Sequence, residues 1–548
     1  MEAEERQRVA YFCMEYGIDQ SLPIYAGGLG VLAGDHLKAA HDLDAPMVGL
    51  GILWREDYTK QLIGEEGRPY DLYPSYAFED LEETGVVVRV QVRGEDVVCR
   101  VFLAEGYGNS PLYLLDASYQ GSEHGWMTSK LYGGGEEDRL AAEIILGVGG
   151  VRALRAMEIE VDKYHFNEGH ALLAGMELIR EKIEMGKSFE EALEATRSQI
   201  VFTTHTPVAA GNEIYEHGLL QHMGAYNGLT YEQMCQLGGD PFNMTAACLR
   251  LSHLSNGVSE LHGKTARRMW RNIPDRAPII AITNGVHLKT WQDQRIREAY
   301  EQGEDLAPPH KENKRDLIEF VEDRNQIKLD ENVLTIGFAR RAAPYKRSEL
   351  IFRNADVIHP LLQDQRIQII FSGKAHPKDQ YGKDIVQRLV QMDRKYKKSV
   401  VFIENYDLEI AAHLVQGCDV WLNNPRRPLE ASGTSGMKAA LNGVLNLSVL
   451  DGWLAEGPEH GVSGWIIDEV FEELGEITND EERDLEALYH LLFEEVVPTY
   501  YQEPERWEEM MRASIEMAQV FSAERMLREY YNLLYHRLPG RIKAQIEQ

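Results

Sequence analysis

Four cations fall within eight residues in Arg340-Arg341-Ala342-Ala343-Pro344-Tyr345-Lys346-Arg347. They follow the apolar run Val333 to Ala339, which reads as a buried strand. A cation cluster at a strand's C-terminal end suits a phosphate group, because Arg offers a planar fork and Lys a compact point charge. On charge alone a solvated basic loop explains the run equally well. Its place after a strand favours the phosphate. A second segment, EASGTSGMKAALNG from Glu430 to Gly443, packs small residues from Ala431 to Gly436 and then turns helical. Such a turn presents free backbone N–H groups to an anion, and the helix dipole assists. The Walker pattern GxxxxGK[ST] is absent. Lys438 in this segment can neutralise a phosphate or form a Schiff base with an aldehyde cofactor. An ordinary helix cap accounts for the turn as well.

A glycine-rich run, AGGLGVLA from Ala26 to Ala33, contains GxGxxA, which is a weak dinucleotide fingerprint. The run before it includes Pro23 and makes a poor strand, so a nicotinamide site is not supported. Close approach of backbone to a ligand is. Three polar clusters also follow apolar stretches: Asn167-Glu-Gly-His170, Thr203-Thr-His205-Thr-Pro and Asn284-Gly-Val-His287. Imidazole, carboxamide and carboxylate groups suit hydrogen bonds to sugar hydroxyls. They are poor metal ligands here, because HExxH is absent and His165 with His170 is off the i, i+4 spacing.

Elements must position these groups. In the second half, Val333 to Ala339, Ile367 to Ser372, Val400 to Glu404, Val420 to Asn423 and Val444 to Val449 read as buried strands. Helical stretches such as Ser348 to Gln363 and Asp384 to Lys397 separate them, which implies a doubly wound parallel sheet. In the first half, Val86 to Ala104 alternates around Arg93-Gly94 as a hairpin, and Leu140 to Met157 reads as a buried helix. Val9 to Met14, Ile200 to Thr204 and Pro278 to Thr283 are short apolar runs. Lys311 to Asn332 is charged with little β character and reads as a connector between two halves. Asp468 to Glu486 holds ten carboxylates against one Arg483 and reads as a solvated acidic face. The tail from Glu503 to Arg537 has helical spacing. Two α/β domains facing a cleft would bring the polar strand ends together there.

The 548 residues carry 88 Asp and Glu against 57 Lys and Arg, a net charge of −31. That sign argues against nucleic acid and against an anionic membrane surface. With 44% hydrophobic residues the chain can build large cores. Its five cysteines are scattered, so neither a disulfide framework nor a metal site is expected, and a cytoplasmic setting fits. The opening MEAEERQRVAYF lacks the apolar stretch of a signal peptide. No run of about 18 apolar residues occurs, so no membrane span is expected.

In their order these segments resemble the α-glucan phosphorylases, the glycogen, starch and maltodextrin family, and its bacterial branch in particular. YFCMEYGIDQSLPIYAGGLGVLAGDHLKAA resembles the family's glycine-loop region. HFNEGHALL, VFTTHTPV, ITNGVHLKTW, ARRAAPYKR, FSGKAHP, VFIENYDLEIA and EASGTSGMKAALNG follow in family order, from about Tyr11 to Asp468. The resemblance implies an α/β fold of two Rossmann-like domains facing a central cleft, of GT-B type. The expected division is residues 1–310 for the glycine loop and glucan, 311–500 for cofactor and phosphate, and 501–548 for helices packing back toward the N-terminal domain. It also implies pyridoxal 5′-phosphate on Lys438. Arg340 is then placed near the cofactor phosphate, beside Tyr406 and the turn Gly433, Thr434 and Ser435. Arg341 and Lys346 match the pair that recognises phosphate. Gly27, Gly28, His205, Asn284, Glu430, Ser432 and Gly433 match residues facing the glucosyl unit.

The implied reaction is phosphorolysis. An α-1,4-glucan and inorganic phosphate give glucose 1-phosphate and a shortened chain, with retention. The cofactor phosphate acts as proton donor and acceptor, and the main-chain carbonyl by His205 helps an oxocarbenium-like sugar. Two phosphates can approach only if cations offset their repulsion, which Arg340, Arg341 and Lys346 can do. Three features depart from the family pattern. The chain opens almost at the glycine loop, so a segment that carries dimer contacts and effector sites is expected to be missing, although the resemblance admits a homo-oligomer. Ala342, Ala343 and Pro344 replace bulkier or polar residues. Asp407 stands where a basic residue is usual, and both changes bear on phosphate affinity. Two other functions fit a GT-B chain: a nucleotide-sugar glucosyltransferase of the glycogen or starch synthase type, which has no need of Lys438, and a non-catalytic glucan-binding homologue.

Overall fold

The computed structural model describes residues 7–78, 81–119, 122–208, 211–467 and 481–536. The chain divides into two compact units, both mixed α/β with parallel strands. The first holds the chain up to Tyr58, Tyr73–Thr283 and the chain from Ala523. The second holds Thr59–Leu72 and Asn284–Ser522.

Among the described residues, the main sheet of the first unit has nine strands. Their order is Ile279–Ala281, Leu254–Gly257, Ile200–Thr203, Lys163–Asn167, Val9–Phe12, Met47–Ile52, Leu112–Asp116, Glu95–Ala104 and Glu82–Val92. All neighbours are parallel up to Leu112–Asp116, and the last two strands extend the sheet antiparallel. Those two are the expected hairpin, turning at Arg93-Gly94 with φ of 54° and 76°, as a two-residue hairpin turn requires. The helix expected over Leu140 to Met157 is present as Glu136–Ile144 and Gly150–Ala156, joined by a π turn at Ile145–Gly149.

Val9–Phe12 comes first in the chain yet lies inside the sheet. The strand order reverses between it and Lys163–Asn167, and ligands of open α/β sheets bind beyond the strand ends at such a reversal. Phe12 pairs with Phe166, and Asn167 with Thr203. The segments after Phe12, Asn167 and Thr203 therefore leave the sheet side by side.

The second unit contains a six-stranded parallel sheet ordered Val400–Ile403, Ile367–Ser372, Leu334–Ala339, Val420–Asn423, Leu445–Ser448 and Gly464–Ile466. Every residue of these strands is buried, which is why each reads as an unbroken apolar run. The order reverses between Leu334–Ala339 and Val420–Asn423. The basic run and the Glu430 turn follow those two strands.

Three expectations are corrected. The charged stretch Lys311 to Asn332 is no connector: Ala307–Asn325 is a helix of the second unit. Its Lys314 is buried and donates to Asp419 Oδ2 at 2.6 Å, to Val333 O at 2.7 Å and to the Tyr500 hydroxyl at 3.0 Å. The unit boundary accordingly falls at Thr283/Asn284 rather than 310/311. Of the tail helices, Pro504–Gln519 belongs to the second unit, and only the chain from Ala523 joins the first, where Met526, Leu527, Tyr530 and Leu534 enter the core. The acidic stretch is not all solvated. Residues 468–480 lie outside the described residues, but Glu481–Leu491 is a helix whose Asp484 is buried. Asp484 accepts from Arg347 at 2.6 Å and lies 3.4 Å from Arg427. Glu481 pairs with Arg353 and Arg426. Among the described residues, no helix is long and apolar enough to cross a membrane.

Candidate active site

Each unit carries one group of the expected residues. In the second unit, Leu334–Ala339 delivers Arg340 into the interior, where it is buried, while Arg341 is exposed. Arg340 N–H donates to Ser372 O, and Ala342 N–H to Lys374 O, so the basic loop is stitched to the next strand's exit. A short 3-10 turn, Pro344–Lys346, directs Lys346 inward. Both cations converge on the buried carboxylate of Glu430. Arg340 donates to its Oε2 at 2.5 Å, and Lys346 bonds the same oxygen. Burial alone would raise the Glu430 carboxyl, but Lys346 and Arg340 outweigh it and hold it down to about 2. The Glu430 carboxylate thus stays charged at neutral pH.

This cluster keeps capacity for a further anion. Arg340 Nη1 is buried without a hydrogen-bond partner, and a buried unsatisfied guanidinium nitrogen is costly. Gly433 beside it has φ +74°, and a Cβ there would come 3.8 Å from Arg340 Nη2. Only a glycine turns the chain this way at no steric cost while leaving that space open. Thr434 follows, and Ser435 begins the helix Ser435–Ala440, its hydroxyl accepting from Trp421 Nε1 at 3.2 Å. Tyr406 also lies within reach of the cation: burial and then Asp407 push its phenol up, and Arg340 pulls it down. The donor set of an inward guanidinium, an ammonium and a left-handed glycine turn fits a phosphate group.

Lys438 is buried and sets its Nζ 3.7 Å from the ring centre of Trp291, a cation–π contact. Asn442 fixes that pairing, since its Nδ2 donates to Trp291 O and to Lys438 O, both at 2.9 Å. Its Oδ1 accepts from Asp293 N–H at 2.7 Å. Asn284 is buried near the start of this unit.

In the first unit, Gly27 and Gly28 open the helix Gly28–Asp42, and a Cβ on either would meet nothing within 4 Å. The protein's own packing does not demand these glycines, and open space lies beside them. Glu15 holds the loop: its Oε2 accepts from Ala26 and Gly27 N–H at 2.7 and 3.0 Å, and its Oε1 from the Tyr132 hydroxyl at 2.9 Å. His205 leaves the neighbouring strand with its Nε2 2.6 Å from Asn167 Oδ1. Burial, then His262, push its pKa down to about 3. The imidazole is therefore neutral, and Nε2–H donates to Asn167. Glu168 accepts from His205 N–H and from Thr206 Oγ1, the latter at 3.1 Å. Its φ of 73° is a strained value for a non-glycine residue. His165 is structural, bonded to Tyr535 and Thr203 at 2.7 Å each.

The model of the carbohydrate phosphorylase family matches residues 294–459. Maltodextrin phosphorylase of Thermococcus litoralis is 40% identical, over 96% of this chain and 70% of that protein. Glycogen phosphorylase of Mycobacterium tuberculosis is 38% identical over the same shares, 96% and 70%. Glycogen phosphorylase of Aquifex aeolicus is 34% identical over 97% of this chain and 87% of its own. The chain belongs to the carbohydrate phosphorylase family.

Within this phosphorylase-family chain, the local departures have structural reasons. Ala342 and Ala343 are buried, so small side chains fit there. Pro344 is exposed at the start of a 3-10 turn, where its missing N–H costs nothing. Asp407 caps the helix Leu408–Gly417 by accepting from Ile410 N–H at 2.9 Å. Arg347 is no phosphate ligand: Asn424 O, Pro425 O and Asp484 take its guanidinium. The sequence pointed to Glu168 only as the carboxylate of the Asn167–His170 cluster, and assigned no role to Glu15 or Trp291. A lone acid inside the apolar run YFCMEYGI was the available signal for Glu15.

Proposed function

We propose that this chain is an α-glucan phosphorylase, releasing glucose 1-phosphate from the end of an α-1,4-glucan with retention. The observation that carries the reading is the buried Arg340–Glu430–Lys346 cluster beside the left-handed turn at Gly433, with an unpartnered guanidinium nitrogen. It occurs in a chain whose relatives are named maltodextrin and glycogen phosphorylase.

Pyridoxal 5′-phosphate, when bound, would supply a phosphate that passes a proton to and from the attacking inorganic phosphate. Lys438 would hold it, with Arg340, Lys346, Tyr406 and the Gly433–Ser435 turn. Arg341, exposed beside the buried pair, binds the incoming phosphate. Lys346 and Arg340 offset the repulsion between the two anions in a site where charges interact strongly. Glu430, Ser432, Gly433 and Asn284 orient the glucosyl hydroxyls, as do Gly27, Gly28 and His205. His205 does so as a neutral donor, and its main-chain carbonyl stabilises positive charge developing on the sugar.

The same reading includes the GT-B arrangement of two Rossmann-like domains. The glycine loop and His205 belong to the first unit, and the cofactor and phosphate residues to the second. It also includes a cytoplasmic setting, no nucleic-acid or membrane partner, and a homo-oligomer. A synthase-type glucosyltransferase leaves the buried Lys438 without a task, and a non-catalytic homologue leaves the charged cluster without one.

One set of proteins tests the reading. The purified chain is expected to form glucose 1-phosphate from maltodextrin only when inorganic phosphate is present. Borohydride should fix a pyridoxyl label on Lys438, read by peptide mass, and Lys438→Ala should abolish both label and activity. Arg341→Ala should keep the label and lose on the order of a hundredfold in activity. A folded, cofactor-free protein without phosphate-dependent turnover would sink the proposal.

A further inference from the structure

Directly behind the Glu430–Gly433 segment lies a second turn, which follows the strand Leu445–Ser448. Its Asp451 is fully buried. Oδ2 of Asp451 accepts from the backbone N–H of Glu430 at 2.9 Å, and Oδ1 accepts from Gly452 N–H at 2.9 Å. One residue further on, Trp453 N–H donates to Ser432 O at 3.0 Å. Gly452 has φ +60°, and a Cβ there would lie 2.2 Å from Ser432 O. The two turns therefore touch backbone to backbone, which no larger residue at position 452 permits.

We propose that Asp451 is a positioning residue: by holding the Glu430 N–H it sets where the Glu430 carboxylate and the Ser432–Gly433 backbone stand toward the glucosyl unit. This rests on the phosphorylase reading of the site. The physical chain is short. A carboxylate bound to a backbone N–H is a charge-assisted hydrogen bond, stronger than a neutral one. It fixes the Cα of Glu430, so only side-chain torsions remain between that backbone and the bonds to Arg340 and Lys346. Trp453, itself fully buried, pins the other end of the turn.

The hold depends on pH. Burial, and then the neighbouring Glu430 carboxylate, push Asp451 up to about 7, against the pull of the two N–H groups and of Lys346. Glu430, Lys346 and Arg427 are the charged groups that face it. As pH falls through about 7, Asp451 gains a proton, its bond to the Glu430 N–H weakens, and the turn loosens. Activity should therefore carry an acidic limb that belongs to Asp451.

The test compares wild type with D451N and D451E. It measures kcat and KM for glucose 1-phosphate from about pH 5.5 to 8.5, glucose 1-phosphate binding by calorimetry, and the melting temperature. D451N removes the charge and faces one N–H with an NH2 group. It should lose roughly tenfold to a hundredfold in kcat/KM and lose the limb near neutrality. D451E keeps the charge one methylene too far out and should recover part of the limb. It carries the test alone if D451N does not fold. Unchanged pH profiles and glucose 1-phosphate affinity in the folded variants, whatever their melting temperatures, overturn the inference. Wild type without phosphorolysis overturns the functional reading and this inference together.

Discussion

At Glu430 one buried carboxylate answers two buried cations, and the chemistry of the site starts from that imbalance. Arg340, Lys346 and the nearby Arg341 outnumber Glu430 and the Asp451 behind it, so the pocket favours one more anion. Removing the acid exposes the cost. In Glu430→Gln, Arg340 and Lys346 stay buried without their counter-charge, which destabilises by about 3–5 kcal/mol. Inorganic phosphate should restore part of that loss, because a ligand that binds only the folded state stabilises it. Urea unfolding with and without phosphate reads the difference, and equal losses in both buffers would remove phosphate from this pocket. Arg340 and Lys346 were legible because cations after an apolar run point at an edge. Asp451 was not, since an Asp-Gly pair after a strand looks like any turn.

The helix Glu481–Leu491 shows how an element supports a site it does not enter. Asp484 binds Arg347 from the basic loop and approaches Arg427 from the loop leading to Glu430. One acid on one helix turn thus ties down both loops. Asp484→Asn should cost about 3–5 kcal/mol, because it leaves the buried Arg347 guanidinium without its carboxylate. It should also lower kcat, with cofactor attachment retained. Urea unfolding and the borohydride label together check this, and a wild-type unfolding midpoint would refute it. Charge-rich segments are where sequence reading failed. Asp468 to Glu486 read as a solvated face and Lys311 to Asn332 as a connector, because charged residues usually face water. Lys314 and Asp484 are buried because partners far along the chain meet them. Five buried strands of the second unit were read correctly, since a strand buried on both faces needs no partner to be recognised. Short runs such as Met47–Ile52 and Gly464–Ile466 were missed.

For the whole molecule, acid should act first through buried histidines. Burial pushes His36 and His205 down to about 3 and His262 to about 4, from 6.5, and all three belong to the first unit. Their folded pKa values are depressed, so below 6.5 the unfolded chain binds more protons and stability falls with pH. Each contributes about 1.4 kcal/mol per pH unit until its folded pKa is reached. Asp451 works in the opposite sense: its raised pKa gives stability at low pH that is lost as pH rises through about 7. Glu430, held at about 2, contributes fully above 4.5 and loses that contribution progressively as pH falls from there through about 2. The net expectation from these groups is a melting temperature that drops from pH 6.5 to 5. Unfolding near pH 5 takes up about two protons, three at the histidines less one released by Asp451. A flat profile over that interval would contradict the neutral burial of these histidines.

The sequence by itself determined the α/β class, the sites of five of the six described strands of the second unit's sheet, and which residues were chemically able to meet phosphate and sugar. These follow from local rules: apolar periodicity, turn residues, and the kinds of group an anion needs. Tertiary structure alone decided which charge neutralises which. Arg340 finds Glu430 across 90 residues, and Arg347 finds Asp484 across 137. No periodicity encodes such a pairing. It is selected by the cost of burying an unpaired charge, and that cost exists only once the fold has removed the water.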